Sequence, residues 1–243
     1  MSGVVHLVGA GPGDPGLLTL RAAELLRAAD VVFHDALVSP EVLALIPATV
    51  EVVDVGKRAG RPSTPQDEIQ RLLIAHAREG RRVVRLKGGD PMLFGRGAEE
   101  LSALIDAGVA CELVPGVSSA IAVPGLAGIP VTHRALSGAV TVLTARGAST
   151  GRPELSWASF AATDHTLVVL MARERAGEVA DRLLEGGRPP DTPTAIIFSG
   201  TTPRQTVARA RLDRLGDTAA ALQADGPALV VVGPVATLCT ATP

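Results

Sequence analysis

Val83-Val84-Arg85-Leu86-Lys87-Gly88-Gly89-Asp90-Pro91-Met92-Leu93-Phe94-Gly95-Arg96-Gly97 is the stretch whose reading decides the fold. An apolar run ends on two glycines, an aspartate and a proline, and a second glycine-bracketed turn opens onto Ala98-Glu99-Glu100-Leu101. That succession is a strand, a tight loop and a helix start. In an open parallel sheet ligands collect at the carboxyl ends of strands. Paired glycines there admit close backbone approach, and Asp90 offers acceptors. Glycine, aspartate and proline are equally the residues of an ordinary turn, so the stretch fixes the unit and leaves the ligand open.

Working outward, Val4-Val5-His6-Leu7-Val8 reads as a strand feeding Gly9-Ala10-Gly11-Pro12-Gly13-Asp14-Pro15-Gly16. The dinucleotide fingerprint fails here, because its third glycine would fall on Asp14 and a proline occupies the turn. An acid at a helix amino terminus repels a pyrophosphate, whereas a cationic or zwitterionic ligand tolerates it. A helix with Leu17, Leu18, Ala22, Leu25 and Leu26 at helical spacing follows. The strand from Asp30 then delivers Asp35 at its carboxyl end, and Ser39-Pro40-Glu41 starts another helix. The strand at 50–55 runs into Gly56-Lys57-Arg58-Ala59-Gly60-Arg61, a cationic loop suited to an anion, and Thr64-Pro65-Gln66-Asp67 has the capping-box pattern.

Helix 65–79, strand 82–86, helix 97–107 and strand 110–114 complete an alternation that predicts a mainly parallel sheet with helices on both faces. Pro115-Gly116-Val117-Ser118-Ser119-Ala120 is a turn with two hydroxyls at a helix start. The connector Ala127–Arg134 supplies the expected boundary between a first lobe, 1–133, and a second, 134–243. In the second half, strands are expected at 139–145, 166–171, 194–198, 205–210 and 228–232. The third and fourth, joined across Ser199–Pro203, read as a hairpin, so this sheet is mixed. The fold class is α/β, with two α/β lobes and the active site in the cleft between them.

Composition narrows the function. The chain has 243 residues, net charge −2, 2% aromatic residues and no tyrosine, which disfavours nucleic-acid binding. Cys111 and Cys239 lack metal-ligand spacing and read as small buried hydrophobes in a reducing cytoplasm. No leader or membrane span is evident, so a soluble cytoplasmic protein without membrane or metal partners is expected.

Several motifs recur together in one family. Val8–Asp14, His34-Asp35-Ala36-Leu37-Val38-Ser39, Val55–Gly60, Val84–Pro91, Phe94–Gly97, Val114–Ala120 and Gly128-Ile129-Pro130-Val131-Thr132-His133-Arg134 stand in the order seen in tetrapyrrole methylases. The chain resembles that family densely from Val4 to Arg134. Afterwards the resemblance rests on Thr166–Met171, Gly200–Gln205 and Gly226–Gly233. It is most similar to the stand-alone members that methylate uroporphyrinogen III.

The resemblance implies a homodimer that uses S-adenosyl-L-methionine and releases S-adenosyl-L-homocysteine. It implies C-methylation of uroporphyrinogen III at carbons 2 and 7 to give precorrin-2, on the route to sirohaem and cobalamin. Carried across position by position, Pro12, Gly88, Gly89, Asp90, Leu93, Ser118, Ser119, Met171, Gly200 and Ala228 would line the cofactor trough, with Asp90 as polar anchor. Asp35 would be the proton acceptor and Lys57 the proton donor. The substrate is an anionic tetrapyrrole, so Arg58, Arg96, His133, Arg134 and, less directly, Arg146 are candidates to bind its carboxylates. His34, Ala36, Ala135 and Ala145 depart from the family's common form. Methylation of a later precorrin, and a non-catalytic tetrapyrrole-binding homologue, stay open as alternatives.

Overall fold

The computed structural model describes residues 3–56, 64–146 and 155–238. Contacts group the chain into two units, Met1–Ser119 and Ala120–Pro243.

In the first unit the order is β1 (Val4–Gly9), α1 (Leu20–Ala28), β2 (Val31–His34), α2 (Pro40–Leu43), β3 (Glu51–Asp54), α3 (Gln66–Arg78), β4 (Arg82–Lys87), α4 (Gly97–Asp106) and β5 (Ala110–Val114). The strands form one sheet in the order β3-β2-β4-β1-β5, with every neighbouring pair parallel. From β1 the chain moves to one edge through β2 and β3; from β3 it returns through β4 and past β1 to β5. Right-handed crossovers in opposite directions put helices on opposite faces. The packing agrees. Val8, Val32, Val84 and Leu86 meet Leu25, Leu26 and Val42 on one face, while Val5, Phe33 and Val83 meet Ile69, Leu73 and Leu104 on the other.

Local chemistry sets the helix ends. Leu17 and Leu18, expected inside the first helix, lie before it: Pro15–Leu17 form a single 3-10 turn whose cap, Asp14, accepts from Gly16 N at 2.7 Å. Thr19 then caps α1 by accepting from Ala22 N at 3.1 Å. Helix α3 starts at Gln66 with Pro65 at the cap position and no side-chain cap bond from it, which puts Thr64 one residue before the cap. The Gln66 side chain reaches Glu100.

The second unit contains most of α5 (Ser119–Leu126), then β6 (Val140–Thr144), α6 (Trp157–Ala161), β7 (Thr166–Leu170), α7 (Ala176–Glu185), β8 (Pro193–Phe198), β9 (Thr206–Arg211), α8 (Leu215–Ala221) and β10 (Ala228–Val232). Its sheet order is β6-β7-β10-β8-β9. Strands β6 and β7 are parallel and the remaining pairs antiparallel, including the hairpin β8–β9. The core is apolar, with Leu143, Leu167, Leu183, Ile196, Leu212 and Val230 at its centre.

The division at Ser119 precedes the expected one at 133. The packing of α5 explains this: a Cβ on Gly200 would fall 2.3 Å from Val123 Cγ1, so the helix lies tightly against its own unit's loop. Gly128 and Pro130 bend the chain inside the second unit. No helix among the described residues is long and apolar enough to cross a membrane, and no group of three or more metal-ligating side chains occurs among them.

Candidate active site

Strands β1 and β4 are neighbours, yet the chain leaves them toward opposite edges. That makes their carboxyl ends the topological switch point, where loops diverge and open a crevice. The glycines sit there. Gly11 and Gly89 form an isolated bridge, Gly89 N to Gly11 O at 2.8 Å and Gly11 N to Gly89 O at 3.2 Å. A Cβ on Gly116 would lie 2.2 Å from Gly89 O, and one on Gly9 would lie 2.5 Å from Gly116 Cα. Three loops therefore touch backbone to backbone, a contact that any side chain would break. Gly89 itself has φ +69° and open space where a Cβ would stand.

Asp90 locks this arrangement. Its Oδ1 accepts from Met92 N at 2.8 Å and its Oδ2 from Gly116 N at 3.0 Å, tying the β4–α4 loop to the β5–α5 loop. A carboxylate has about four acceptor sites, so the anchor role expected for Asp90 is compatible with this loop-shaping one. Apolar side chains flank the loops in the open: Leu37, 68% exposed and 3.2 Å from the Cβ position of Gly88, with Met92 and Phe94.

Asp35 follows β2, hydrogen-bonded through its N–H to Leu86 O, and its carboxylate meets an unusual set of neighbours. Oδ1 accepts a short hydrogen bond from Arg85 Nη2, and Lys87 Nζ lies 3.8 Å from Oδ2. Arg85 and Lys87 are buried on the α3/α4 face of β4, and both reach the fully buried Glu100 Oε1, at 3.2 and 3.1 Å. Gln66 Nε2 donates to the same oxygen at 2.9 Å. Arg85 Nη1 donates to Phe33 O and Leu86 O, so its guanidinium is held on several sides. Burial pulls the Lys87 ammonium below the usual lysine range and the Arg85 charge adds to this, against the opposing pull of Glu100 and Asp35. In this quartet Asp35 is the member that reaches solvent.

The motif reading found Asp35 and missed Arg85, Lys87 and Glu100. Two signals were present. Cations two apart share one face of a strand, and Glu100 occupies the inward stripe of α4 between Gly97 and Leu104.

The other expected residues divide by unit. Pro12, Gly88, Gly89, Asp90, Leu93 and Ser118 stand on the loops at the carboxyl end of the first sheet, with Ser119 beginning α5. Arg96 precedes α4 in the left-handed region, φ 59°, and pairs with Glu99 at 2.5 Å, a bond that raises its pKa. Lys57 and Arg58 lie outside the described residues. In the second unit, Arg146 and Met171 follow the parallel strands β6 and β7, Ala228 starts β10, and Gly200 follows β8. Ala145 N bonds Leu170 O at 2.8 Å, Ala172 N bonds Ala228 O at 3.0 Å, and Ser199 N bonds Pro227 O at 2.8 Å, so all four residues share one end of the sheet. Met171, Ser199 and Thr201 have positive φ there, and such strain in non-glycine residues concentrates at functional loops. His133 and Arg134 are exposed on a separate turn closed by the His133–Ser137 bridge.

The profile of the tetrapyrrole (corrin/porphyrin) methylases matches residues 4–216. The chain belongs to the tetrapyrrole methylases. Among curated relatives it is 48% identical over 236 residues to a sirohaem synthase of Tolumonas auensis, covering 97% of this chain and 50% of that protein. The chain thus spans about half the length of the curated relatives it matches. A tetrapyrrole methylase of solved structure, the uroporphyrin-III C-methyltransferase of Thermus thermophilus complexed with S-adenosylhomocysteine, is 44% identical, with TM-score 0.82 over 96% of this chain and 98% of that one. A cobalt precorrin-4 methyltransferase is 29% identical, with TM-score 0.85 over 96% of this chain and 95% of that one.

Proposed function

We propose that this methylase transfers methyl groups from S-adenosyl-L-methionine to carbons 2 and 7 of uroporphyrinogen III, giving precorrin-2. The observation that carries the reading is the 44% identity, across nearly the whole of both chains, to a uroporphyrin-III C-methyltransferase. The first unit's loops fit the donor. They present glycine backbone, open space at Gly89 and exposed apolar side chains, and they carry Asp14 and Asp90 where a phosphate site would carry cations. Bound there, the donor supplies a methyl group on a sulfonium centre. The residues we propose for holding it are Pro12, Gly88, Gly89, Asp90, Leu93, Ser118, Ser119, Met171, Gly200 and Ala228.

Asp35 is the proposed base. Methylation of a pyrrole β-carbon leaves a cationic ring that must lose a proton, and a positioned carboxylate takes it. Lys57 is the proposed proton donor, and Arg58, Arg96, His133, Arg134 and Arg146 the proposed partners of the substrate's carboxylates. We further propose a cytoplasmic homodimer acting toward sirohaem or cobalamin. Its state is checked by light scattering, where a monomer at working concentration counts against it.

The test is anaerobic incubation of the purified protein with S-adenosyl-L-methionine and uroporphyrinogen III, followed by product mass. A gain of two methyl groups is expected. A second reading, methylation of a later precorrin, draws on the TM-score of 0.85 to the cobalt precorrin-4 enzyme. Methyl gain on that class of substrate, with none on uroporphyrinogen III, would replace the first reading by the second.

A further inference from the structure

We propose that Arg85, Lys87 and Glu100 are positioning residues for Asp35, a buried network, charge-balanced only while Asp35 is ionised, that orients its carboxylate and drives its proton to solvent after each methylation. The inference rests on the reading of Asp35 as base.

The case begins with cost. Taking several charges out of water is expensive, and a buried ion pair is weak evidence of a stabilising device, since well-packed apolar residues serve as well or better. Here two cations and a carboxylate, each 3% exposed or less, interrupt the apolar packing of a central strand and the helix upon it. They converge on the one carboxylate of the set that is open to solvent, at the ligand end of the sheet. Ion networks that sit inside a ligand-facing site and end on a titratable group are candidates for function.

The arrangement also has a direction. Arg85 Nη2 fixes one oxygen of Asp35, while Lys87 Nζ, 3.8 Å from the other, is bonded to Glu100 at 3.1 Å. Oδ2 is thereby the oxygen with the looser partner. The methylated β-carbon already carries a side chain and holds no hydrogen, so the C–H bond that breaks is on the adjoining methylene bridge; its electron pair neutralises the cationic ring and the proton passes to this carboxylate. Asp35 is then neutral, and Arg85 and Lys87 face Glu100 alone. The excess positive charge favours loss of the proton to solvent through the exposed side of Asp35, which resets the base for the second methyl group.

Among the described residues, the groups beside the network add little competing charge. Gln66 from α3 is an amide, and Cys111 on β5, whose thiol burial raises to about 11, is neutral through the working range. His34 precedes Asp35, with Nδ1 3.1 Å from Asp35 O. Desolvation and the Arg85 charge lower the Lys87 pKa, and the pull of Glu100 and Asp35 offsets them only in part.

Lys87→Met, Glu100→Gln and the double variant test the proposal in the whole chain, with Asp35→Asn alongside. Opposite charges a few ångströms away move a carboxylate by about one to three pH units. Lys87→Met should therefore shift the acid limb of the kcat profile up by about one unit and lower kcat about tenfold. Glu100→Gln should shift the limb down, and the double variant should lie between them. KM for S-adenosyl-L-methionine should stay within about twofold throughout, which a loosened fold would not allow. If a single variant fails to fold, Lys87→Gln or Glu100→Met replaces it and should shift the limb in the same direction as the change it replaces. Shifts in the same direction, or none while Asp35→Asn is slow, overturn the network and leave the base intact. Wild-type turnover by Asp35→Asn overturns the base itself.

Discussion

Strand β4 carries an arginine–aspartate pair toward each end. At its amino end Arg82 meets Asp30, with Nη2 to Oδ1 at 2.8 Å and the backbone N–H to Oδ2 at 2.7 Å. Three residues on, Arg85 meets Asp35. The Arg82 side chain is 57% exposed and that of Arg85 is 2% exposed. One strand and one pair chemistry thus give two different physical situations. Exposed pairs are screened and contribute little. A buried cation depends on its partners, and removing one leaves another charge stranded. The amino end uses the pair to close strand ends, where Arg81 and Glu51 form a similar bridge at 2.6 Å. The carboxyl end holds a reactive-looking carboxylate.

The widest separation between the two ends should appear in catalysis. Asp35→Asn should lower kcat about 10²- to 10⁴-fold, the usual range for loss of a general base, with S-adenosyl-L-methionine affinity little changed. Asp30→Asn, the same chemical change at the other end, should leave kcat within about twofold. Steady-state kinetics and isothermal titration read both. Equal rates for the two variants would erase the functional half of the comparison.

Stability should separate the arginines next. Arg85→Ala leaves Asp35 and Glu100 short of a partner and should cost about 3–5 kcal/mol. Arg82→Ala, which opens only an exposed pair, should move the unfolding midpoint far less. Urea unfolding gives both values on one scale. If Arg85→Ala unfolds with the midpoint of Arg82→Ala, the quartet is less buried in solution than its geometry states.

The sequence made the frame legible because its signals are local. Apolar runs of strand length, the Ser39-Pro40 helix start and the Ser199–Pro203 turn each report on a few adjacent residues, and the strands, the all-parallel first sheet and the mixed second sheet follow from them. Asp35 was visible for the same reason, as an acid where a strand stops. The quartet was not, since its members come from β2, β4 and α4 and meet only when α4 lies down on the sheet. Pattern reading takes Arg85 and Lys87 as the polar face of a strand. Burial of that face is a tertiary fact. The grouping of α5 is likewise a matter of packing: the glycine and proline of 127–134 mark a bend in the chain, and Val123 packs against the Gly200 loop of the second unit.

Two glycines carry the comparison into the backbone. Gly89, at the carboxyl end, and Gly108, which follows α4 and leads into the amino end of β5, have φ of +69° and +68°, and neither has an atom within 4 Å of its Cβ position. Alanine fits in the space at both and is strained at both. Each Gly→Ala change should therefore cost about 1–2 kcal/mol in thermal unfolding. Only Gly89→Ala should also weaken S-adenosyl-L-methionine binding, by tenfold or more, because its methyl group would enter the space proposed for the donor. Equal binding by the two variants would move the donor away from the switch point.

The smallest effect belongs to the exposed end and has a defined pH window. Hydrogen bonds from the Arg82 side chain, then from its backbone N–H, lower Asp30 from 3.8 to about 2. A carboxylate whose folded pKa is depressed binds fewer protons folded than unfolded, so its contribution is complete above the unfolded value and is lost as pH falls through the folded one. The Asp30–Arg82 pair should therefore add its full, small contribution above pH 4 and almost nothing near pH 2. Comparing the wild type with Arg82→Ala by urea unfolding at pH 6, 4 and 2.5 should show the gap in midpoints close across that interval. A gap that persists undiminished at pH 2.5 would mean Arg82 acts through the packing of its methylene stem along the strand rather than through the pair, and the contrast between the two ends would then be one of packing as much as of charge.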